Sequence, residues 1–190
     1  MQRTFVPIVL LALLLCSPAA AAAPVDPVQV NVQRRGAIVV VDVQTEVAAD
    51  VATAWAVLTD YEHMAAFISN LKTSVVLTRL GNQLEVLQSG QAKKGPLTFS
   101  FETTRAVELI PDREIRSHLI KGDFKSYDFT TTVVDTGSGV SIVNHGEYWP
   151  NVWVPPIVGP AMIESETRKQ YGEIRAEILR RTANGRVSPR

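Results

Sequence analysis

The sequence predicts an α+β domain in which a curved antiparallel sheet of about seven strands wraps around a long C-terminal helix. Three observations carry that expectation. Residues 71–149 alternate apolar and polar side chains and are punctuated by turn residues at regular intervals, the pattern of an antiparallel meander. Two short amphipathic stretches between 49 and 71 separate that tract from an earlier strand. A final helical run of some 22 residues reaches roughly 33 Å at 1.5 Å per residue, enough to cross a small sheet.

Each element has its own warrant. In Ala37–Val47, Val39, Val41, Val43, Thr45 and Val47 alternate with Asp42, Gln44 and Glu46, which gives a strand with one buried face. Asp50 suits a helix N-cap, and Val51, Trp55 and Leu58 follow at i, i+4 and i+7. Asp60 is placed to cap a second helix carrying Tyr61, Met64, Phe67 and Ile68, so a hinge falls at Asp60-Tyr61. Gly81-Asn82, Lys94-Gly95-Pro96, Pro111-Asp112, Lys121-Gly122-Asp123 and Thr136–Gly139 then divide the meander into strands near 71–80, 83–93, 97–109, 113–120, 123–134 and 140–149. In the last helix Pro160 suits the first turn, Ile163, Thr167, Ile174 and Ile178 share one side, and Asn184-Gly185 provide a stop. Glu164/Arg168 and Glu177/Arg181 form i, i+4 pairs expected on its solvent side.

Residues 1–23 read as an export signal: Arg3 begins it, Phe5–Leu15 is its apolar run, and Ala19–Ala23 its small-residue cleavage region. An apolar run of about 11 residues is well short of the roughly 20 that span a bilayer. Cys16 invites a lipoprotein reading, but Leu15 stands where a small residue would precede a lipidated cysteine. Residues 24–35 are then a Pro-containing leader, 36–182 the folded domain and 183–190 a disordered tail, and the expected location is periplasmic. Cys16 is the only cysteine, so the chain after cleavage has no disulfide and depends on its core. Hydrophobic residues make up 46 % and charged residues 20 %, which fits one globular unit, expected to be a monomer. A net charge of zero without a dense basic run argues against a nucleic-acid partner and for neutral or apolar ones.

Catalytic motifs are scarce. Asp135-Thr136-Gly137-Ser138-Gly139 resembles the active-site loop of aspartic proteases, but that chemistry needs a second carboxylate loop, and the flanking alternation reads as a hairpin turn requiring positive φ. His63, His118 and His145 have no metal-site spacing; His145 points outward from its strand and His63 lies on the surface. No nucleophile elbow, phosphate loop or dinucleotide fingerprint is present. The expectation is therefore no catalytic residue, no metal and no cofactor.

The order of elements, with ADVATAWAVLTDYEHMAAFI after the first strand and PDREIRSHLIKGDFKSYDFTTTV in the meander, resembles the START-like (SRPBCC) superfamily. Its polyketide cyclase/dehydrase and coenzyme-Q-binding branch is the most similar, over roughly Gly36–Arg181. The resemblance implies a helix-grip fold and a ligand cavity between sheet and C-terminal helix. Members of the family include lipid binders, quinone-binding proteins and cyclases, so the fold leaves the function open.

Polar residues on the inward faces fit such a cavity. Gln88 follows Leu84 and Val86, and Leu97, Phe99, Phe101, Thr103 ends in Arg105. Asn144 interrupts Val140 and Ile142, and Gly146 removes a side chain from the face that continues to Tyr148. The bland alternatives are a solvent-exposed Arg105 at a strand end and a bulge at Gly146. Trp153 and Met162 belong to the prolyl segment Asn151–Ile163, a candidate lip for the cavity entrance, a membrane contact, or a simple cap on the sheet. Tyr61 and Phe67 face the same entrance if the family's arrangement holds. The expected ligand is a hydrophobic or amphipathic small molecule, such as a lipid, quinone or isoprenoid, its polar head oriented by Arg105, Gln88, Asn144 or Tyr127. Transient contact with a membrane follows if the last helix or the Trp153 segment hinges. The alternatives are a cyclase or dehydratase using Arg105, Tyr127 or Tyr148 in the same cavity, and a cavity-free module docking onto an envelope protein.

Overall fold

Period-two alternation builds the sheet. The structure is a computed structural model that describes residues 26–94, 97–151 and 158–187. In it the chain runs through β1 (Val28–Arg35), β2 (Ile38–Val47), α1 (Val51–Leu58), α2 (Met64–Phe67), β3 (Leu71–Leu80), β4 (Gln83–Lys94), β5 (Leu97–Ile110), β6 (Glu114–Gly122), β7 (Phe124–Asp135), β8 (Val140–Pro150) and α3 (Val158–Val187). The strands form one open antiparallel sheet in the order β1-β2-β8-β7-β6-β5-β4-β3. β8 returns beside β2, so the two helices between β2 and β3 lie over the same face as α3, which packs on β1, β2, β4, α1 and α2. This is the helix-grip arrangement.

The main core lies between that face and the helices, with Val57, Ile68, Val86, Val107, Val140, Ile142 and Ile178 all but sealed from solvent. A second cluster under the other end of the sheet joins Val28, Val39, Val41 and Val43 to Phe129, Tyr148, Ile163 and Tyr171. The Asp135–Gly139 segment is a turn: Gly137 has φ 79°, and its N–H donates to Asp135 Oδ1 at 2.7 Å. Asp135 is occupied in shaping a hairpin.

Several expectations need correction. Residues 28–35 are not a leader but an edge strand, paired with β2 from Val28↔Thr45 to Arg35↔Ile38, so the sheet has eight strands. Asp50 caps α1 as expected, accepting from Thr53 N–H at 2.7 Å, but α1 buries Ala54, Val57 and Leu58 and leaves Val51 and Trp55 half-buried. Asp60 does not cap α2, whose N-cap position is His63 without a side-chain hydrogen bond. Asp60 Oδ1 instead meets His63 Nδ1 at 2.6 Å, and its Oδ2 accepts from Arg181 Nη2 at 2.7 Å. Glu177 is not on the solvent side: it is 8 % exposed and accepts from both Arg180 and Arg181. Finally, α3 continues through Asn184-Gly185 to Val187.

Candidate functional site

Between the sheet and α3 lies a cavity of about 270 Å³. Its walls follow from strand alternation and two local irregularities. On β7, Tyr127, Phe129 and Thr131 point inward at period two; a register shift between Phe124 and Ser126 adds Phe124 to the same face. Phe124 and Tyr148 meet edge-on at 5.2 Å between ring centroids, and Tyr127 lies 4.4 Å from Phe129, so one wall is an aromatic cluster. Two cross-strand glycines make room for such rings. Gly146 is paired with Phe129, and a Cβ there would overlap the Phe129 ring and come within 2.5 Å of Asp128 O. Gly90 is paired with Phe101, and a Cβ there would lie 2.6 Å from Phe101 Cζ.

The adjoining wall is polar. Arg105 on β5 donates from Nη1 to Tyr127 OH at 3.0 Å and from Nη2 to Gln88 Oε1, with its guanidinium 5.2 Å from the centre of the Tyr127 ring. Gln88 is held in turn by donating to Ser74 Oγ at 2.9 Å and Met64 Sδ at 3.4 Å. Asn144 Nδ2 donates to Thr131 Oγ1 at 2.8 Å. Two buried polar atoms on this wall have no partner, Arg105 Nε and Ser117 Oγ. Among the described residues Arg105 is the only Asp, Glu, His, Lys or Arg side chain lining the cavity, and no carboxylate lies within 4 Å of it. Burial pushes the Tyr61 hydroxyl up to about 12 and raises those of Tyr148 and Tyr171 further. Phenols held neutral in this way are hydrogen-bond donors rather than bases. Tyr171 is half-buried and lines the cavity.

Of the expected site residues, Tyr61, Gln88, Phe101, Arg105, Tyr127, Asn144 and Tyr148 converge on this cavity. Phe67, Phe99, Gly146 and Met162 do not line it. Phe67 on the single turn of α2 packs half-buried against the main core, with the Arg181 guanidinium 5.8 Å from its ring centre, while Met64 and Ile68 reach the cavity. Phe99 shares the face of Phe101 but sits one pleat step, about 7 Å, beyond the cavity. Gly146 opens no space, since Phe129 fills it; it is not a bulge either, because the register there is regular. Met162 is buried beside the stripe that presents Ile163, Thr167, Tyr171 and Ile174. Trp153 lies outside the described residues, as do the export signal and Cys16. Sequence reasoning missed Tyr171 and Gln170, although both fall on the helical stripe through Thr167 and Ile174, and it missed Phe129 and Thr131, which continue the alternation from Tyr127. Ser117 had no such signal, because a lone serine in a strand is ordinary.

His118 and His145 stand on the outer face, each with Nδ1 2.6 Å from an aspartate, Asp128 and Asp42 respectively. Among the described residues no group of three His, Cys, Asp or Glu side chains is placed to hold a metal. No helix among them is long and apolar enough to cross a membrane.

Solved structures share the architecture. A STAR-related lipid transfer protein from Xanthomonas axonopodis superposes with a TM-score of 0.69 at 10 % identity, over 83 % of this chain and 97 % of that one. A START superfamily protein from Mycobacterium smegmatis gives 0.63 at 17 %, covering 75 % and 99 %. The Zhui aromatase/cyclase from Streptomyces sp. R1128 gives 0.64 at 14 %, covering 76 % and 95 %. At such identities these likenesses establish the fold. No curated protein matches the sequence. Residues 47–159, more than half of the chain, match the family described as polyketide cyclase / dehydrase and lipid transport. With its helix-grip fold and a cavity under the last helix, the chain belongs to that family.

Proposed function

We propose that the protein is an exported binding protein for a hydrophobic or amphipathic small molecule, of the lipid, quinone or isoprenoid type, held between the sheet and α3. The observation that carries this reading is the asymmetry of the cavity: an aromatic cluster adjoining a polar wall with one charged group and two unpartnered polar atoms. Apolar burial, at about 25 cal/mol per Å², supplies the affinity, and Arg105, Gln88 and Asn144 orient the head. The cavity approaches the ~300–1,000 Å³ of typical ligand pockets, so it suits the head and first ring or chain segment of such a molecule. Lipid-transfer and cyclase proteins among the structural neighbours support a ligand-binding role. Transient membrane contact is part of the same proposal: at the α3 N-terminal end of the sheet, Trp149 is exposed, with Lys125 Nζ 4.3 Å from its ring centre.

Native mass spectrometry of the purified protein tests this. The expected result is a retained small molecule that is released on denaturation. A folded preparation that retains nothing, and takes up neither a short-chain ubiquinone nor a lysophospholipid on titration, overturns it.

A cyclase or dehydratase is the second reading, and one contact favours it. Because Arg105 donates to the Tyr127 oxygen, the phenol proton is free to point at a ligand carbonyl. A carbonyl polarised there still needs a base, and no Asp, Glu or His lines the cavity among the described residues. Binding without turnover is the better-supported reading.

A further inference from the structure

We infer that the ligand is a monocarboxylate, its carboxylate seated at Arg105 Nε and Ser117 Oγ and its apolar body lying against the aromatic wall. This rests on the cavity-binding reading above and narrows its ligand class. Arginine has five N–H donors and is always charged. Here Tyr127 and Gln88 occupy one donor on each Nη, and both are neutral, so the charge is solvated by dipoles but not balanced. Nε is buried and unpartnered, and each Nη keeps a second N–H. A planar carboxylate accepts side-on from a parallel pair of guanidinium N–H bonds. Ser117 supplies a further hydroxyl without a partner. Since Arg105 pairs with Leu119, Ser117 is its diagonal neighbour on the same face, with Cα atoms about 7–8 Å apart. A single anionic head can therefore use both orphaned groups.

Other heads fit less well. A ketone or alcohol satisfies a donor but leaves the buried charge uncompensated. A phosphate brings a second negative charge that no other cation on the cavity wall can meet. Size sets the body: an apolar cavity of about 150 Å³ holds benzene, so about 270 Å³ accommodates a bicyclic ring or a chain of about ten carbons.

Calorimetric titration of the purified protein with 2-naphthoate, 2-naphthamide and 2-naphthalenemethanol, and with decanoate and 1-decanol, tests the class without any variant. At least one body should bind as the carboxylate ten-fold or more tightly than as its neutral analogues. Arg105→Gln should erase that preference, Arg105→Lys should restore part of it, and Ser117→Ala should weaken the acid alone by a few-fold. Equal binding of acid and neutral analogue by the unaltered protein overturns the carboxylate assignment and leaves the cavity reading standing. Binding of none of the five overturns the carboxylate assignment, and the cavity reading falls with it only if the same preparation retains nothing and takes up neither the ubiquinone nor the lysophospholipid.

Discussion

Arg105 and Arg181 carry the same charge in opposite company, and the contrast separates the two halves of the space under the sheet. Arg181, near the end of α3, meets Glu177 Oε1 and Asp60 Oδ2, both at 2.7 Å, and lies near the Phe67 ring. Glu177 also accepts two bonds from Arg180, and Asp60 accepts Nδ1 of His63, so each of these charges is answered by an opposite one or a hydrogen bond. Arg105, under the N-terminal half of α3, touches only neutral groups and keeps a buried Nε unpaired. The first arrangement fastens the last helix to the α1–α2 hinge. The second leaves an electrostatic demand that a bound molecule can meet. Partly burying a charge without a counter-ion is costly, and among the described residues Arg105 is the charged side chain that lines the cavity, which is why the proposed site is placed there.

The largest expected effect tests the paired half. The Arg180 and Arg181 hydrogen bonds hold the Glu177 carboxyl at about 2, against 4.5 for an unperturbed glutamate. A lowered folded-state value means that the stabilisation is complete above about pH 4.5 and disappears as the pH falls through about 2. Glu177→Gln should therefore cost about 3 kcal/mol at pH 7 in urea unfolding, and its stability should be flatter than the parent's between those two values. An unchanged acid limb would show that the latch contributes nothing. Next in size is Gly146→Ala, which asks whether the cavity wall is packed as firmly as the core. The added methyl meets both the Phe129 ring and the backbone oxygen of Asp128, so about 2 kcal/mol should be lost together with near-ultraviolet dichroism from the aromatic cluster. The smallest effect belongs to Arg105→Met. Replacing an unbalanced buried charge by an apolar side chain should leave stability unchanged or raise it by about 1 kcal/mol while carboxylate binding is lost. A loss of more than about 2 kcal/mol would make Arg105 a structural residue like Arg181 and remove the contrast.

The strands were legible because a half-buried sheet imposes period two on every residue it contains, as Leu84, Val86 and Gln88 show. The edge strand was also written in Val28, Val30 and Val32, alternating with Gln29, Asn31 and Gln33, but nearby Pro24 and Pro27 suggested a leader. Gln88, Arg105 and Asn144 stood out as polar residues at apolar positions, and the structure brings all three to one cavity. Phe67 and Glu177 were misplaced for a common reason. A helical stripe wide enough to meet both a sheet and another helix has no single outer face, and only the docking of α3 against α1 and α2 decides which side each residue occupies.

Alternation, capping and turn chemistry, all local, thus determined the elements, their order and the polar residues on the inner faces of the strands. Tertiary structure decided what those residues do. Whether Gly146 is a vacancy or the seat of Phe129, and whether an arginine is answered by carboxylates or left to a ligand, depends on atoms far apart in sequence. Those partners are set when β8 closes beside β2 and α3 crosses the sheet.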